Sequence, residues 1–139
     1  MSGMTAQTFK DINILLSDTV SISQELLNDI HLQINAIDTF TPEREYFWNL
    51  QLSELSADIS KFVELTTLLS QVIQVKKKSS LPEIKQAHIH LLFIIKGINQ
   101  AQQKHDALVL EDLIKYELKD NLTQWKIDLI PLIKRLLNP

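Results

Sequence analysis

The sequence predicts an all-α protein, an up-down-up-down four-helix bundle forming a single domain over residues 1–139. Three observations carry that reading. Glycine occurs 2 times and proline 4 times, too few breakers for a fold of short strands and turns. Apolar residues recur at steps of three and four and never sustain the alternation a strand requires. Composition is 45% hydrophobic and 22% charged, the globular range, so amphipathic helices have a core to share. No composition shift, internal repeat or low-complexity tract marks a second domain.

The first helix is carried by Phe9, Ile12, Leu16, Val20, Leu27, Ile30, Ile34 and Ile37 and ends near Asp38. Within it lies "SDTVSIS", residues whose side chains compete for backbone hydrogen bonds. Ser21 and Gln24 have the spacing of a capping box, so this helix is expected to be bent or interrupted at residues 17–22. The second helix has the clearest signal, from about Pro42 to Val75. Thr41 is placed to cap it, Pro42 suits the first turn, and Glu43 and Glu45 suit the positive end of the dipole. Trp48, Leu52, Leu55, Ile59, Phe62, Thr66, Leu69 and Ile73 then follow alternating steps of four and three, a heptad with one polar member.

Ser80 and Glu83 form a second capping-box pattern, with Pro82 between them, and open a third helix running to about Lys104. Ile84, Ala87, Leu91, Ile94, Ile95 and Ile98 are its core stripe. Asp106 is placed to cap the fourth helix, whose stripe is Ala107, Leu110, Ile114, Leu118, Trp125, Leu129, Leu132 and Leu136. Pro131 removes a backbone donor and crowds the preceding turn, so a kink or break is expected at about Ile130. The spacing in this helix departs from a heptad.

Several chemistries are excluded. There is no cysteine, hence no disulfide, thiolate zinc site or cysteine nucleophile. The longest apolar run, Leu91 to Ile95, is far short of the roughly 20 residues that span a bilayer. The start "MSGMTAQTFKDINILL" lacks a basic segment leading into an apolar core, so no signal peptide is expected and a cytoplasmic location is. Net charge is −3 and the one basic cluster, Lys76 to Lys78, reads as a solvated loop, which argues against nucleic acid.

His88 and His90 stand about 200° apart on a helix and cannot share a metal ion. Glu111, Asp112, Glu117 and Asp120 are interleaved with Lys115 and Lys119 and read as a solvated face, Glu111 alone leaning toward the buried stripe. No cofactor is expected.

"FIIKGINQA" resembles the histidine phosphotransfer signature, a four-helix family of similar length, through Ile95, Lys96 and Gly97. Phe93 stands where that family carries its phosphorylated histidine, and His90 lies one turn too early, so the resemblance implies an inactive relative. "LEDLIKYELKDNLTQW", residues 110–125, is similar to a motif of small uncharacterised bacterial helical-bundle proteins through Asp112, Leu113, Tyr116, Glu117, Leu118 and Trp125. That family implies no activity.

The unusual feature is surplus apolar surface. Ile89 and Phe93 point away from the core stripe of the third helix, and Val109, Leu113, Tyr116, Ile127 and Ile130 form a second line on the fourth. Leu65, Leu68, Val72 and Val75 do the same late in the second. A helix apolar on two sides is central in its fold or covered by another chain. The expected function is therefore non-catalytic protein–protein contact, as a homodimer or with a partner helix. An adaptor or export-chaperone role is the concrete version, resembling small helical flagellar chaperones in size, acidity and long helices. The rival is a small-molecule-binding or enzymatic bundle with an interior pocket lined by Trp48, His88, Glu111 or Trp125.

Overall fold

The computed structural model describes residues 6–37, 39–77 and 81–137, with side chains over 13–37, 39–74 and 81–136. All regular structure among the described residues is helical, and four helices make an all-α bundle. Helix α1 spans Ala6–Ala36 without a break, which corrects the interruption expected at residues 17–22. Thr19 Oγ1 donates to the Leu15 carbonyl at 2.7 Å and Ser23 Oγ to the Thr19 carbonyl at 2.8 Å. Each hydroxyl bonds back four residues along the helix, so none draws the backbone out of it. Val20 and Ser23 are buried there, and packing of a helix face outweighs weak propensity. Ser21 lies inside the helix and marks no start. The side chains of Phe9 and Ile12 lie outside the described residues; the remaining expected core positions, Leu16 to Ile37, are buried.

A 3₁₀ turn, Pro42–Arg44, leads into α2, Glu45–Lys77. Thr41 holds the cap position with extended backbone, φ −135° and ψ 143°, but its side chain makes no capping bond. All the expected heptad positions from Trp48 to Ile73 are buried. Thr66, the polar one, satisfies its hydroxyl on the Val63 carbonyl at 3.1 Å.

Helix α3 spans Pro82–Gln103 with Leu81 at the cap position and no side-chain cap; Ser80 lies outside the described residues. It ends where His105 adopts φ 54°. Asp106 N–H donates to the Ala101 carbonyl at 2.9 Å and His105 N–H to the Gln102 carbonyl at 3.2 Å. That is the Schellman pattern, with histidine where glycine is usual. The Asp106 carboxylate then accepts from Val109 N–H at 3.2 Å and starts the last helix, as expected.

Helix α4, residues 107–137, alternates ordinary and wide turns: Ala107–Asp112, Lys119–Gln124 and Ile130–Leu137 are α-helical, while Leu113–Leu118 and Trp125–Leu129 are π-type. The spacing of buried residues explains this. Leu110, Ile114, Leu118 and Leu122 follow at steps of four, then Trp125, Leu129 and Ile133. On an α-helix each four-residue step drifts by about 40°, so three would carry the stripe about 120° off the core. Turns holding more residues keep it in line. Instead of a break at Ile130, the Ile130 N–H reaches the Trp125 carbonyl five residues back, and Pro131 enters the helix that follows.

Cross-helix contacts set the neighbours. Gln33 Nε2 donates to Asp58 Oδ2 and Gln51 Nε2 to the Ala36 carbonyl, joining α1 to α2. Thr67 meets His88 between α2 and α3, and Asn121 meets Ala87 between α3 and α4. Lys134 donates to Gln24 and closes the ring from α4 to α1. At the α3–α4 seam a Cβ on Gly97 would lie 3.3 Å from Leu113 Cδ1, so the missing side chain lets the two helices close. Phe62 and Trp125, both fully buried, meet edge to face in the core with centroids 5.6 Å apart.

Candidate functional site

The outer face of α3 and α4 carries most of the expected surface line. Phe93 is 72% exposed, Tyr116 67% and Ile127 64%, and Ile89 and Val109 are exposed beside them. Two positions differ from the expectation. Ile130 is only 1% exposed and belongs to the core. Ile127 sits within the wide turn Trp125–Leu129 and Ile130 directly follows it, so the extra width of the turn carries Ile130 inward where a regular helix would keep the two on one side. Leu113 is half-buried, because it fills the space that Gly97 leaves.

Register follows from the seam. Gly97 faces Leu113 and His90 faces Asn121, which puts Phe93, between them on α3, level with Glu117 and Leu118 on α4, just past Tyr116. Where α3 begins and α4 ends, the face opens into a groove of about 510 Å³ bordered by Glu83, Gln124, Ile127, Asp128, Pro131 and Arg135.

A second apolar patch was legible only on its α2 side. Leu15 and Ile22 on α1 and Leu68 on α2 are exposed, beside half-buried Leu26 and Val72. Leu68 and Val72 are legible from α2 itself. A reading that interrupts α1 at residues 17–22 cannot place Leu15 and Ile22 on one helix face. Leu92 and Leu108, exposed on α3 and α4, also lay outside the expected line.

The polar groups are dispersed. His88 turns toward α2 and His90 toward α4, as the 200° separation requires. His88 Nε2 lies 3.0 Å from Thr67 Oγ1, and that hydroxyl donates to the Val63 carbonyl at 2.7 Å. A hydroxyl has one proton, so Thr67 accepts from His88 N–H. This polarity is the reverse of what activates a nucleophile. Burial holds the His88 pKa below the ordinary histidine value. On α1, burial likewise lowers His31; a bond involving the Leu122 backbone opposes that, and Lys126 and Lys119 add to it.

Asn121 is buried and donates through Nδ2 to the Ala87 carbonyl at 3.1 Å and to His90 Nδ1 at 3.3 Å, leaving Oδ1 without a partner. Glu111 accepts the Phe40 N–H at 2.6 Å, pinning the α1–α2 connection to α4. Asp112, Glu117 and Asp120 are exposed. Among the described residues no three histidines or carboxylates stand together as a metal ion would need.

The four residues of the rival pocket are not gathered in one cavity. Trp48 stacks edge to face on Phe40 and lines a hollow of about 170 Å³ with Asn49, Gln102 and His105. His88 lines a different hollow of about 190 Å³ with Ser70 and Gln74. Trp125 is sealed in the core, and Glu111 is committed to Phe40. No described helix is long and apolar enough to cross a membrane. The chain matches no protein-family model, no curated protein and no solved structure.

Proposed function

We propose that this is a non-catalytic protein that works through protein–protein contact, with the outer face of α3 and α4 as its working surface. One observation carries the reading: Ile89, Phe93, Val109, Tyr116 and Ile127 are exposed together on adjacent helices. Leaving so many large apolar groups in water is unfavourable, and their burial against a partner stabilises by about 1.5–3 kcal/mol for each fully covered side chain. An adaptor or export-chaperone-like role in the cytoplasm is the concrete form of this proposal. A photo-crosslinking side chain at position 93, with Glu64 on exposed α2 as the control position, tests it in cells. A discrete protein adduct from position 93 and none from position 64 is expected. Equal, diffuse labelling from both would overturn the reading.

A small-molecule site is the second reading, and it rests on Trp48. This residue is buried, its indole N–H has no partner, and it borders the hollow of about 170 Å³. That volume is close to the roughly 150 Å³ of an engineered cavity that takes benzene. Titration with phenol, followed by isothermal calorimetry in the native chain and in Trp48→Phe, separates this reading from the first. Saturation that the substitution abolishes supports the second reading; an unresponsive native chain refutes it.

A further inference from the structure

At the end of the bundle where α2 begins and α3 gives way to α4, the hollow beside Trp48 has an apolar floor and a polar mouth. Trp48, Leu52 and Leu110 are buried beneath it. Phe40 closes one side, its ring centroid 4.9 Å from that of Trp48 and its backbone N–H held by Glu111. Glu45, Asn49 and His105 are exposed around the mouth. Two observations point to a ligand. Trp48 is 5% exposed, and its indole N–H finds no acceptor in the protein although the residue borders open space. His105 holds φ 54°, where glycine would be unstrained, and it is the residue whose side chain lines this mouth.

Charge and size narrow the ligand. Glu45 and His105 are the titratable groups that line the hollow. Among the described residues nearest them in the chain, the carboxylates of Glu43, Asp106 and Glu111 outnumber the cations of Arg44 and Lys104. Arg44 is turned onto the exposed Phe47 ring, 6.0 Å from its centroid. Asp106 and Glu111 accept the N–H groups of Val109 and Phe40 and keep their charge. The surroundings are therefore acidic and favour a cation over an anion. The volume of about 170 Å³ suits one six-membered ring. Glu45 stands one turn ahead of Trp48, about 4.5 Å of helix rise, a span that a two-carbon arm covers.

We propose that this hollow binds a small aromatic amine in its ammonium form. Its ring lies against Phe40 and Trp48, its ammonium pairs with the Glu45 carboxylate, and the His105 imidazole covers the mouth. This rests on the small-molecule reading of Trp48 given above and supplies its ligand with a size and a charge.

The test titrates the full chain with phenethylamine and with hydrocinnamate, which share ring and arm and carry opposite charges. The readout is the Trp48 indole signal in heteronuclear NMR spectra, identified by its loss in Trp48→Phe. Phenethylamine should shift that signal saturably and bind about tenfold tighter than hydrocinnamate, and Glu45→Gln should narrow the preference to about threefold or less. His105→Gly, relieved of its positive φ, should be the more stable chain and yet bind the amine more weakly. Hydrocinnamate bound as tightly as the amine overturns the inference. So does a preference that Glu45→Gln leaves intact, or a His105→Gly chain that binds as the native one does. In each of those cases phenol binding still decides the small-molecule reading, whereas a chain that responds to neither probe nor to phenol removes both.

Discussion

Helices α2 and α4 bury stripes of similar length by different means. From Trp48 to Ile73, α2 keeps an unbroken heptad, whereas α4 holds Leu110 to Ile133 in line by inserting two wide turns. The consequence shows on their outer sides. On α2 a regular helical wheel places Leu68 outside and Leu69 inside, as observed, while Leu65 and Val72 of the expected outer line are half-buried and the Val75 side chain lies outside the described residues. On α4 the same wheel puts Ile127 and Ile130 together, and the structure separates them, one into solvent and one into the core. A helix that changes its turn to protect its core stripe also re-sorts its surface.

The largest way to break this comparison is in the core that the two helices share. Trp125→Ala should cost about 3–5 kcal/mol, read as a fall in urea midpoint at constant slope. Trp125→Phe should cost less than half of that, because the indole N–H it removes has no partner to lose. A Phe variant as damaged as the Ala variant would mean that the N–H is bonded after all.

Next comes the pair that the wide turn separates. Ile130→Ala should destabilise by about 2–5 kcal/mol, and Ile127→Ala should change stability by no more than about 0.5 kcal/mol. Equal effects in denaturant titrations would contradict the wide turn at Trp125–Leu129.

The joint between α3 and α4 gives a smaller effect with the opposite sign. His105 holds φ 54°, a conformation that costs a residue with a Cβ about 1–2 kcal/mol. His105→Gly should therefore raise stability, by about 1 kcal/mol at most once the freer unfolded chain is counted. Thermal unfolding would register it as a higher midpoint.

The pH dependence is weaker still. His88 against α2 and His31 on α1 both have folded-state pKa values held below 6.5, chiefly by burial. Between those values and 6.5 the unfolded chain binds more protons than the folded one, so stability rises with pH across that window. Full stability is expected above the window and a decline as pH falls through it. Urea midpoints on either side of the window should differ in that sense, and His88→Gln should flatten the difference.

Much of the fold was legible because burial and periodicity are the same signal on a regular helix. The heptad of α2 and the α3 residues Ile84, Ala87, Leu91, Ile94 and Ile98 are buried as read from the sequence. The misreadings have local causes. Hydroxyls at Thr19 and Ser23 look like helix breakers in sequence, yet they bond inward once Val20 and Ser23 pack in the core. Pro131 signals a kink or break, and the break is absent because a wide turn ahead of it carries the helix on. Of the candidate surface, Phe93, Tyr116 and Ile127 could be read from the wheel. Ile130 could not, since the wide turn answers to packing against other helices, and no local pattern records it.

The direct test of the α3–α4 face is light scattering over a concentration series for the native chain and for Phe93→Glu. The native mass should climb from one chain toward two as concentration rises, while Phe93→Glu stays at one chain with unchanged helical signal. Two species that associate equally would contradict the account, and two that never associate would leave a different protein as the partner of this face.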